Sequence, residues 1–568
     1  MKKKMIKGAE ILLESLSRVG VDTIFGYPGG TVIPIYDAIY DFNKITHYFA
    51  RHEQGAAHEA DGYARSTGKV GVCLATSGPG ATNLVTGIMT AHMDSVPMIA
   101  ITGQVGSSLL GKDAFQESDI VGITLPITKM NYLIKNIREL PSIIREAYFI
   151  ASTGRPGPVL IDIPKDIQQD TISWEEYEEL FTKELELEGY FPNYKGHPGQ
   201  IKKAVELINQ AKNPLIIAGA GVIKSGACGE LKDLAEKMDM PVTTTLLGLG
   251  CFPSDHELCL GMLGMHGTVP ANFATEEADL IIAAGMRFDD RIAGNPEKFC
   301  KNAKIIHIDI DPAEIEKNKC IDVPIVGDLK NVLDDLSKRL EVRDNSEWTE
   351  TIREWKREYP MMYVKPGENL MPQEVLEAVD KIVKGEAIVA TDVGQHQMWA
   401  AQFLRFNRPN TMLSSGGSGT MGYGLPSAIG AQVGNQDELV IAVVGDGGFQ
   451  MTFQELMLLK QYNLPVKIVL LNNSYLGMVR QWQELFLDKR YSSVNLDVNP
   501  DFEKIGAAYG IQTATIKTRE ELDEQLEDLI RSDKPVIIQC IVEKEANVLP
   551  MIPAGGSAED MMGLRGKL

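Results

Sequence analysis

Residues 439–473 read LVIAVVGDGGFQMTFQELMLLKQYNLPVKIVLLNN. An apolar run, Leu439–Val444, meets Gly445-Asp446-Gly447-Gly448. Thr452-Phe-Gln-Glu455 has the spacing of a capping box that opens a helix. After Leu464-Pro465 a second apolar run, Val466–Leu471, ends in Asn472-Asn473. Strand, helix and strand make one βαβ unit, so Asp446 and Asn473 fall at the same carboxyl edge of a parallel sheet, where open α/β sheets bind ligands. A carboxylate and an amide oxygen are hard donors suited to Mg2+, which shares its shell with phosphate oxygens and water. The three glycines let backbone N–H groups approach a phosphate at a helix start. Either piece alone is equally a plain turn. The two together, with the right elements between them, point to a metal-diphosphate site.

Working outward, β-rich apolar runs alternate with helical patterns along the chain. Val70–Ala75, Met98–Thr102, Val159–Ile163, Leu215–Ala218, Leu280–Ala284, Ile305–Ile308, Ile388–Ala390 and Val536–Val542 are continuous rather than alternating, as in sheets covered on both faces. The fold class is therefore α/β, with doubly wound parallel sheets. Two polar stretches divide the chain. Residues 173–188 hold seven Glu and one Lys and lead into Phe191-Pro-Asn-Tyr-Lys-Gly-His-Pro-Gly199, which reads as a solvated connector. Residues 341–372 are rich in Glu, Arg and Lys with Pro360, Pro366 and Pro372. The expected domains are 1–172, 190–345 and 370–550, followed by a flexible tail, 551–568, that starts near Pro553-Ala-Gly-Gly-Ser.

Composition narrows the function. The 568 residues carry 56 Lys and Arg against 77 Asp and Glu, a formal charge of −21, which disfavours a general nucleic-acid or anionic-membrane binder. Seven Cys include no C-x-x-C pair, so neither zinc nor a disulfide framework is indicated and a reduced, cytoplasmic setting is expected. The basic start Met1-Lys-Lys-Lys-Met-Ile-Lys7 lacks an apolar core behind it; Lys7–Val19, interrupted by Glu10, Glu14 and Arg18, reads as an amphipathic helix. No run reaches the roughly 18 apolar residues of a membrane span.

The Gly445–Asn473 segment resembles the diphosphate motif of thiamine-diphosphate enzymes. By that resemblance Asp446, Asn473 and the carbonyl of Tyr475 hold the metal. Such enzymes need an acid at the cofactor's aminopyrimidine ring. Residues Ile45–Ala50 read as a strand that leads through Arg51-His52-Glu53-Gln54-Gly55 into a helix. On the residues alone, Glu53 equally complements a helix N-terminus. Yet Tyr27-Pro-Gly-Gly30, His52-Glu-Gln-Gly55, Gly62-Tyr-Ala-Arg65 and Ser77-Gly-Pro-Gly-Ala-Thr-Asn83 are similar, in order and spacing, to the pyrimidine-binding domain of the acetohydroxyacid synthases. Glu53 falls on that family's catalytic Glu, where desolvation favours the protonated form. His58-Glu-Ala-Asp61 departs slightly from the family pattern, with no expected effect on the chemistry.

The likeness continues through Gly103-Gln-Val105, Ala114-Phe-Gln-Glu117, Gly264-Met-His-Gly267, Arg287-Phe-Asp-Asp-Arg291, Gly417–Gly424 and Met478-Val-Arg-Gln-Trp-Gln483. Gly106 stands where many members have Pro. The family implies three thiamine-type domains. Met421 would bend the cofactor, Gly419 would accept from its amino group, and Gly394, Gln395, His396, Gly445, Gly447 and Gly448 would line the diphosphate. It also implies FAD in the middle domain, at Gly219, Gly221, Thr245, Leu246, His266, Gly285, Arg287, Asp309 and Asp328, with Arg155 from the first. The bare Gly219-Ala-Gly221 turn is weak by itself, since Lys224 occupies the third glycine position of a dinucleotide fingerprint. Gly30, Phe115, Gln116, Lys165, Arg291, Met478 and Trp482 would meet substrate.

The implied reaction joins pyruvate, after loss of CO2, to a second pyruvate or to 2-oxobutyrate, the first common step of branched-chain amino acid biosynthesis. The implied assembly is a homodimer or homotetramer with a separate small regulatory subunit. The alternative is another thiamine 2-oxo acid enzyme such as pyruvate oxidase. Arg291 and Trp482 favour the synthase, and none of the nine His are adjacent as the pyruvate decarboxylases require.

Overall fold

A computed structural model describes residues 4–185, 187–365 and 367–564. Three six-stranded sheets organise it, every strand pair in them parallel. The first runs in the order Thr46–Phe49, Thr23–Gly26, Gly71–Ala75, Met98–Gln104, Pro158–Pro164, Met130–Leu133. The third runs Met412–Leu413, Ile388–Thr391, Val440–Gly445, Lys467–Asn472, Val536–Ile541, Gln512–Ile516. Counted along the chain within each sheet, both follow the order 2-1-3-4-6-5. The middle sheet follows 3-2-1-4-5-6, from Cys259–Met262 at one edge to Val323–Val326 at the other. Each order reverses direction beside its first strand, and the crevice beyond the strand ends there is where such sheets take ligands. In the third sheet the reversal falls between Ile388–Thr391 and Val440–Gly445; in the middle sheet it falls between Pro214–Ala218 and Leu280–Ala284.

The central strands are buried on both faces, as their unbroken apolar sequence requires. The first and third domains share one hydrophobic cluster, which runs from Phe25 and Ala57 to Leu425 and Ile468. At its centre the Glu53–Thr67 helix lies on the Gly424–Gly434 helix, both built largely of Gly, Ala and Ser. A Cβ at Gly62 would sit 2.1 Å from the Ser427 carbonyl oxygen, and one at Gly430 would sit 1.8 Å from that of Glu59. Each helix needs a bare backbone opposite the other.

Four expectations change. The helix after Gly445 opens at Asp446, directly off the strand, and ends at Thr452; a 3-10 turn, Phe453–Glu455, follows. Thr452 and Glu455 make no capping box, because each has a distant partner: Thr452 donates to Gly422 O at 2.8 Å and Glu455 accepts from Arg51 N at 2.9 Å. The acid-rich connector contains the Trp174–Thr182 helix, whose Tyr177 is buried in the first domain's core. The second polar stretch contains the Ser346–Glu358 helix, which places Trp348 and Ile352 in the middle domain's core. The tail is packed as far as Leu564: Met551 pairs with Met562, and Ile552 and Met561 cluster with Val269. The readings at residues 1–3, Glu186, Pro366 and 565–568 lie outside the described residues.

Gly430→Ala should lower the guanidinium unfolding midpoint, overpacking in a tight core costing about 1–3 kcal/mol. Gly229→Ala, where an added Cβ meets nothing within 4 Å, should not. Equal midpoints for the two variants would show that the helix contact tolerates a methyl group.

Candidate active site

The crevice of the third sheet gathers most of the diphosphate set. Gly445 ends its strand and Asp446 starts a helix, while across the reversal Gly394 precedes the Gln395–Phe403 helix. Burial raises the Asp446 carboxyl to about 6, and its Oδ2 accepts from Asn499 Nδ2 at 2.6 Å. Asn473 leaves the next strand; its Oδ1 accepts from Tyr475 N at 3.1 Å and its Nδ2 donates to Gln395 Oε1 at 3.3 Å. The glycines mark where backbone must come close. A Cβ at Gly445 would lie 2.8 Å from His396 Nδ1, and one at Gly447 2.6 Å from Leu476 Cδ2 and 3.7 Å from Met421 Cε. Burial pushes His396 down to about 4, so the ring is neutral, and its Nε2 is buried without a partner. An orphaned ring nitrogen, the start of a helix at Asp446 and a set of hard oxygens from Asp446, Asn473 and Tyr475 fit a metal-bound diphosphate.

Sequence reasoning missed Asp392. It ends the Ile388–Thr391 strand, is fully buried, and accepts from Val393 N at 2.7 Å, Gly422 N at 3.0 Å and Gly424 N at 3.1 Å. Burial raises it to about 6. A Cβ at Gly448 would come within 2.4 Å of its Oδ1. Asp392 therefore fixes the Gly419–Gly424 turn, with Met421 in it, against the Gly445–Gly448 turn. The only sequence signal was an Asp after an apolar run.

A cavity of about 1180 Å3 opens between the middle and third domains. Arg155, Gly221, Thr245, Leu246, His266, Gly285, Arg287, Asp309 and Asp328 line it, together with Gly419, Arg291, Met478 and Trp482. Met478 and Trp482 share one face of the Gly477–Phe486 helix, four residues apart. Gly219 does not line the cavity. It lets the strand ends meet, since a Cβ there would sit 2.2 Å from Gly285 O. Lys224, the residue that breaks the fingerprint, ends the short Ala220–Lys224 helix and faces the cavity; desolvation lowers it to about 8. Burial raises Asp309 to about 6. Arg155 reaches over from the first domain and pairs with Asp311 at 3.1 Å and with Glu314.

The remaining predicted residues occupy the carboxyl edge of the first sheet. Glu53 is the first residue of its helix, and its Oε2 accepts from Asn83 Nδ2 at 3.0 Å. Lys165 Nζ donates to Gly30 O at 3.0 Å. Gln116 takes a left-handed φ of 60° against Gly78, and Phe115 is 88% exposed. Among the described residues, no hydrogen bond joins Glu53, Gly30, Phe115, Gln116 or Lys165 to Asp446 or Trp482 within one chain, and none of the five lines the cavity that Trp482 lines.

Two parallel sheets of one topology stand before and after a dinucleotide-type sheet along the chain, and one of the two carries a crevice whose residues fit a diphosphate. Comparison with known proteins gives this arrangement its class. The thiamine pyrophosphate enzyme N-terminal TPP binding domain matches residues 6–123, the central domain 201–336, and the C-terminal TPP binding domain 392–540. The acetolactate synthase large subunits of Lactococcus lactis and Corynebacterium glutamicum are 48% and 49% identical, over 99% and 98% of this chain and 97% and 91% of theirs. That of Buchnera aphidicola is 46% identical, over 98% of both. The chain belongs to the acetolactate synthase large-subunit family of thiamine-diphosphate enzymes.

Asp446→Ala removes the one carboxylate of the Asp446, Asn473 and Tyr475 set and should abolish retention of thiamine diphosphate. Cofactor left after desalting, read by thiochrome fluorescence, checks this. A full complement on a folded variant would take Asp446 out of the site.

Proposed function

We infer that the chain decarboxylates pyruvate and joins the two-carbon unit to a second 2-oxo acid, yielding 2-acetolactate from pyruvate or 2-aceto-2-hydroxybutyrate from 2-oxobutyrate. The observation that carries this reading is the convergence of Trp482 and Met478 from the third domain with Arg291 from the middle domain on one cavity. That wall offers an apolar face for the acceptor's alkyl group and a guanidinium for its carboxylate.

Thiamine diphosphate, when bound, supplies the carbanion that attacks the keto carbon and the electron sink for loss of CO2. Asp446, Asn473 and the Tyr475 carbonyl would hold Mg2+, and His396 with the Gly445–Gly448 turn would hold the diphosphate oxygens. Glu53 would exchange a proton between its carboxyl and the aminopyrimidine ring. Gly30, Phe115, Gln116 and Lys165 lie on the same sheet edge as Glu53 and would close on substrate from that side. Because Glu53 and Asp446 are not joined within one chain, this reading needs two copies, each lending its first-domain edge to the other's third domain. Exposed Leu109, Phe115 and Leu125 on the first domain support a homodimer, which a homotetramer would double. The relatives are named large subunits, which supports a separate small regulatory chain.

The large cavity favours an extended dinucleotide, FAD. Arg155, Arg287 and Lys224 supply positive charge and Asp309 a ribose acceptor. Two pyruvates become acetolactate and CO2 with no electrons left over, so a flavin here is structural. Seven unpaired cysteines support a cytoplasmic setting, and among the described residues no helix is long and apolar enough to cross a membrane.

The direct test is conversion of pyruvate to acetolactate, assayed as acetoin after acid treatment, with thiamine diphosphate and Mg2+ and with or without FAD. Acetate or acetyl phosphate with flavin bleaching would place the chain with the oxidases instead. Trp482→Leu should keep acetolactate formation but lose most preference for 2-oxobutyrate. One methyl contact contributes roughly 1–3 kcal/mol, about 10- to 200-fold in discrimination. Competing the two acceptors in one tube gives the ratio. An unchanged ratio with collapsed activity would make Trp482 a packing residue.

A further inference from the structure

Two buried carboxyl groups lie behind Glu53. Glu59 is on the same helix, six residues on, and Glu455 is in the third domain's 3-10 turn; both are fully shielded from solvent. Glu59 lies one helical turn beyond Gly55, on the face that meets Glu455. Both Glu59 oxygens and Oε1 of Glu455 are buried with no hydrogen-bond donor from any other group. Oε2 of Glu455 accepts from Arg51 N at 2.9 Å, two residues before Glu53. The same region of the third domain holds the neighbouring backbone: Phe49 N donates to Tyr462 OH at 2.9 Å, and the Arg51 guanidinium donates to Gln461 Oε1 at 2.6 Å. A Cβ at Gly55 would fall 2.3 Å from Glu455 Oε1, so Gly55 makes room for this carboxyl.

Two carboxylates in contact and out of water cannot both be ionised. Burial and the Glu455 charge push Glu59 well above the carboxylate range. Glu455 is raised by burial to about 7, with the Arg51 amide and guanidinium acting to lower it. Arg51 is the charged group that faces the pair, and it balances the single negative charge.

We propose that Glu59 and Glu455 share one proton, Glu59 donating to Glu455, and that the pair is a positioning device holding the Arg51-His52 backbone from which Glu53 projects. Protonated, Glu59 thereby saturates Glu455 without adding a second charge. This rests on the reading of Glu53 as the proton-exchanging acid.

The experiment compares Glu59→Gln, whose amide can still donate to Glu455, with Glu59→Leu, which cannot. The holoenzyme readout is hydrogen–deuterium exchange at the cofactor's C2, with Glu53→Gln as control. Glu59→Leu should slow exchange by up to about 100-fold, the cost of a 1 Å misplacement, with thiamine diphosphate affinity and the pyruvate KM within about threefold; Glu59→Gln should restore most of it. The unliganded protein gives an independent readout. At pH 8, the infrared difference spectrum of wild type minus Glu59→Gln should show one protonated carboxyl C=O band. Absence of that band overturns the shared proton. Equal exchange rates in Glu59→Leu and wild type, or equal losses in the Leu and Gln variants, overturn the positioning role. If Glu59→Leu does not fold, the infrared band together with the exchange rate of Glu59→Gln decides. Unchanged exchange in Glu53→Gln would sink the assignment of Glu53 itself, a result distinct from the others.

Discussion

The backbone-to-backbone contact of the Glu53–Thr67 and Gly424–Gly434 helices is the constraint on which the rest depends. Gly62 against Ser427, and Gly430 against Glu59, leave no room for a side chain between them. That closeness merges two domains into one hydrophobic cluster. It also brings polar groups of the third domain onto the strand end that leads to Glu53. Helices at ordinary spacing would be 8–10 Å apart along their axes with side chains between, and Glu455 could not then reach the Arg51 amide.

The same sheet topology serves twice with different chemistry at its carboxyl edge. In the third domain the reversal carries Asp392, His396 and Asp446, all buried and all shifted toward their neutral forms by desolvation. The folded chain has already removed these groups from water, so their desolvation is part of the cost of folding. In the first domain the equivalent edge carries Glu53, Lys165 and the Gln116 turn, and lies open. The middle sheet, with its own strand order, places glycines where two strand ends meet and borders a cavity of about 1180 Å3. Function is thus divided among edges rather than concentrated in one pocket.

Much of this was legible in the sequence, because continuous apolar strands ending in Gly, Asp or Asn carry both fold and site in the same few residues. The pairing of Asp446 with Asn473 follows from spacing and turn chemistry, whereas Met478 and Trp482 were singled out by resemblance. What escaped reading depends on partners far away in the chain. Thr452 and Glu455 have the local pattern of a cap but take tertiary partners. Asp392 looks like any strand-end acid until the Gly422 and Gly424 amides fold onto it. The acid-rich connectors look solvated because most of each helix is; single residues, Tyr177 and Trp348, decide that they pack. Residues 551–564, rich in Gly and Ala, lack the periodicity of a core element and are nevertheless fixed by Val269 and Met265.

Residues 546–564 have a consequence for the order of assembly during synthesis. Ala546, Asn547 and Val548 receive the side chains of Arg480, Gln481 and Gln395, and Ile552 N donates to Met265 O on the cavity wall. All three sheets precede this segment along the chain, so a nascent polypeptide can complete each of them while the helix bearing Met478 and Trp482 still lacks its anchor. The cavity wall is finished by a segment that emerges after all three sheets. A chain truncated before residue 546 would keep every strand of the three sheets around an unfinished pocket, with the buried guanidinium of Arg480 lacking the Ala546 carbonyl.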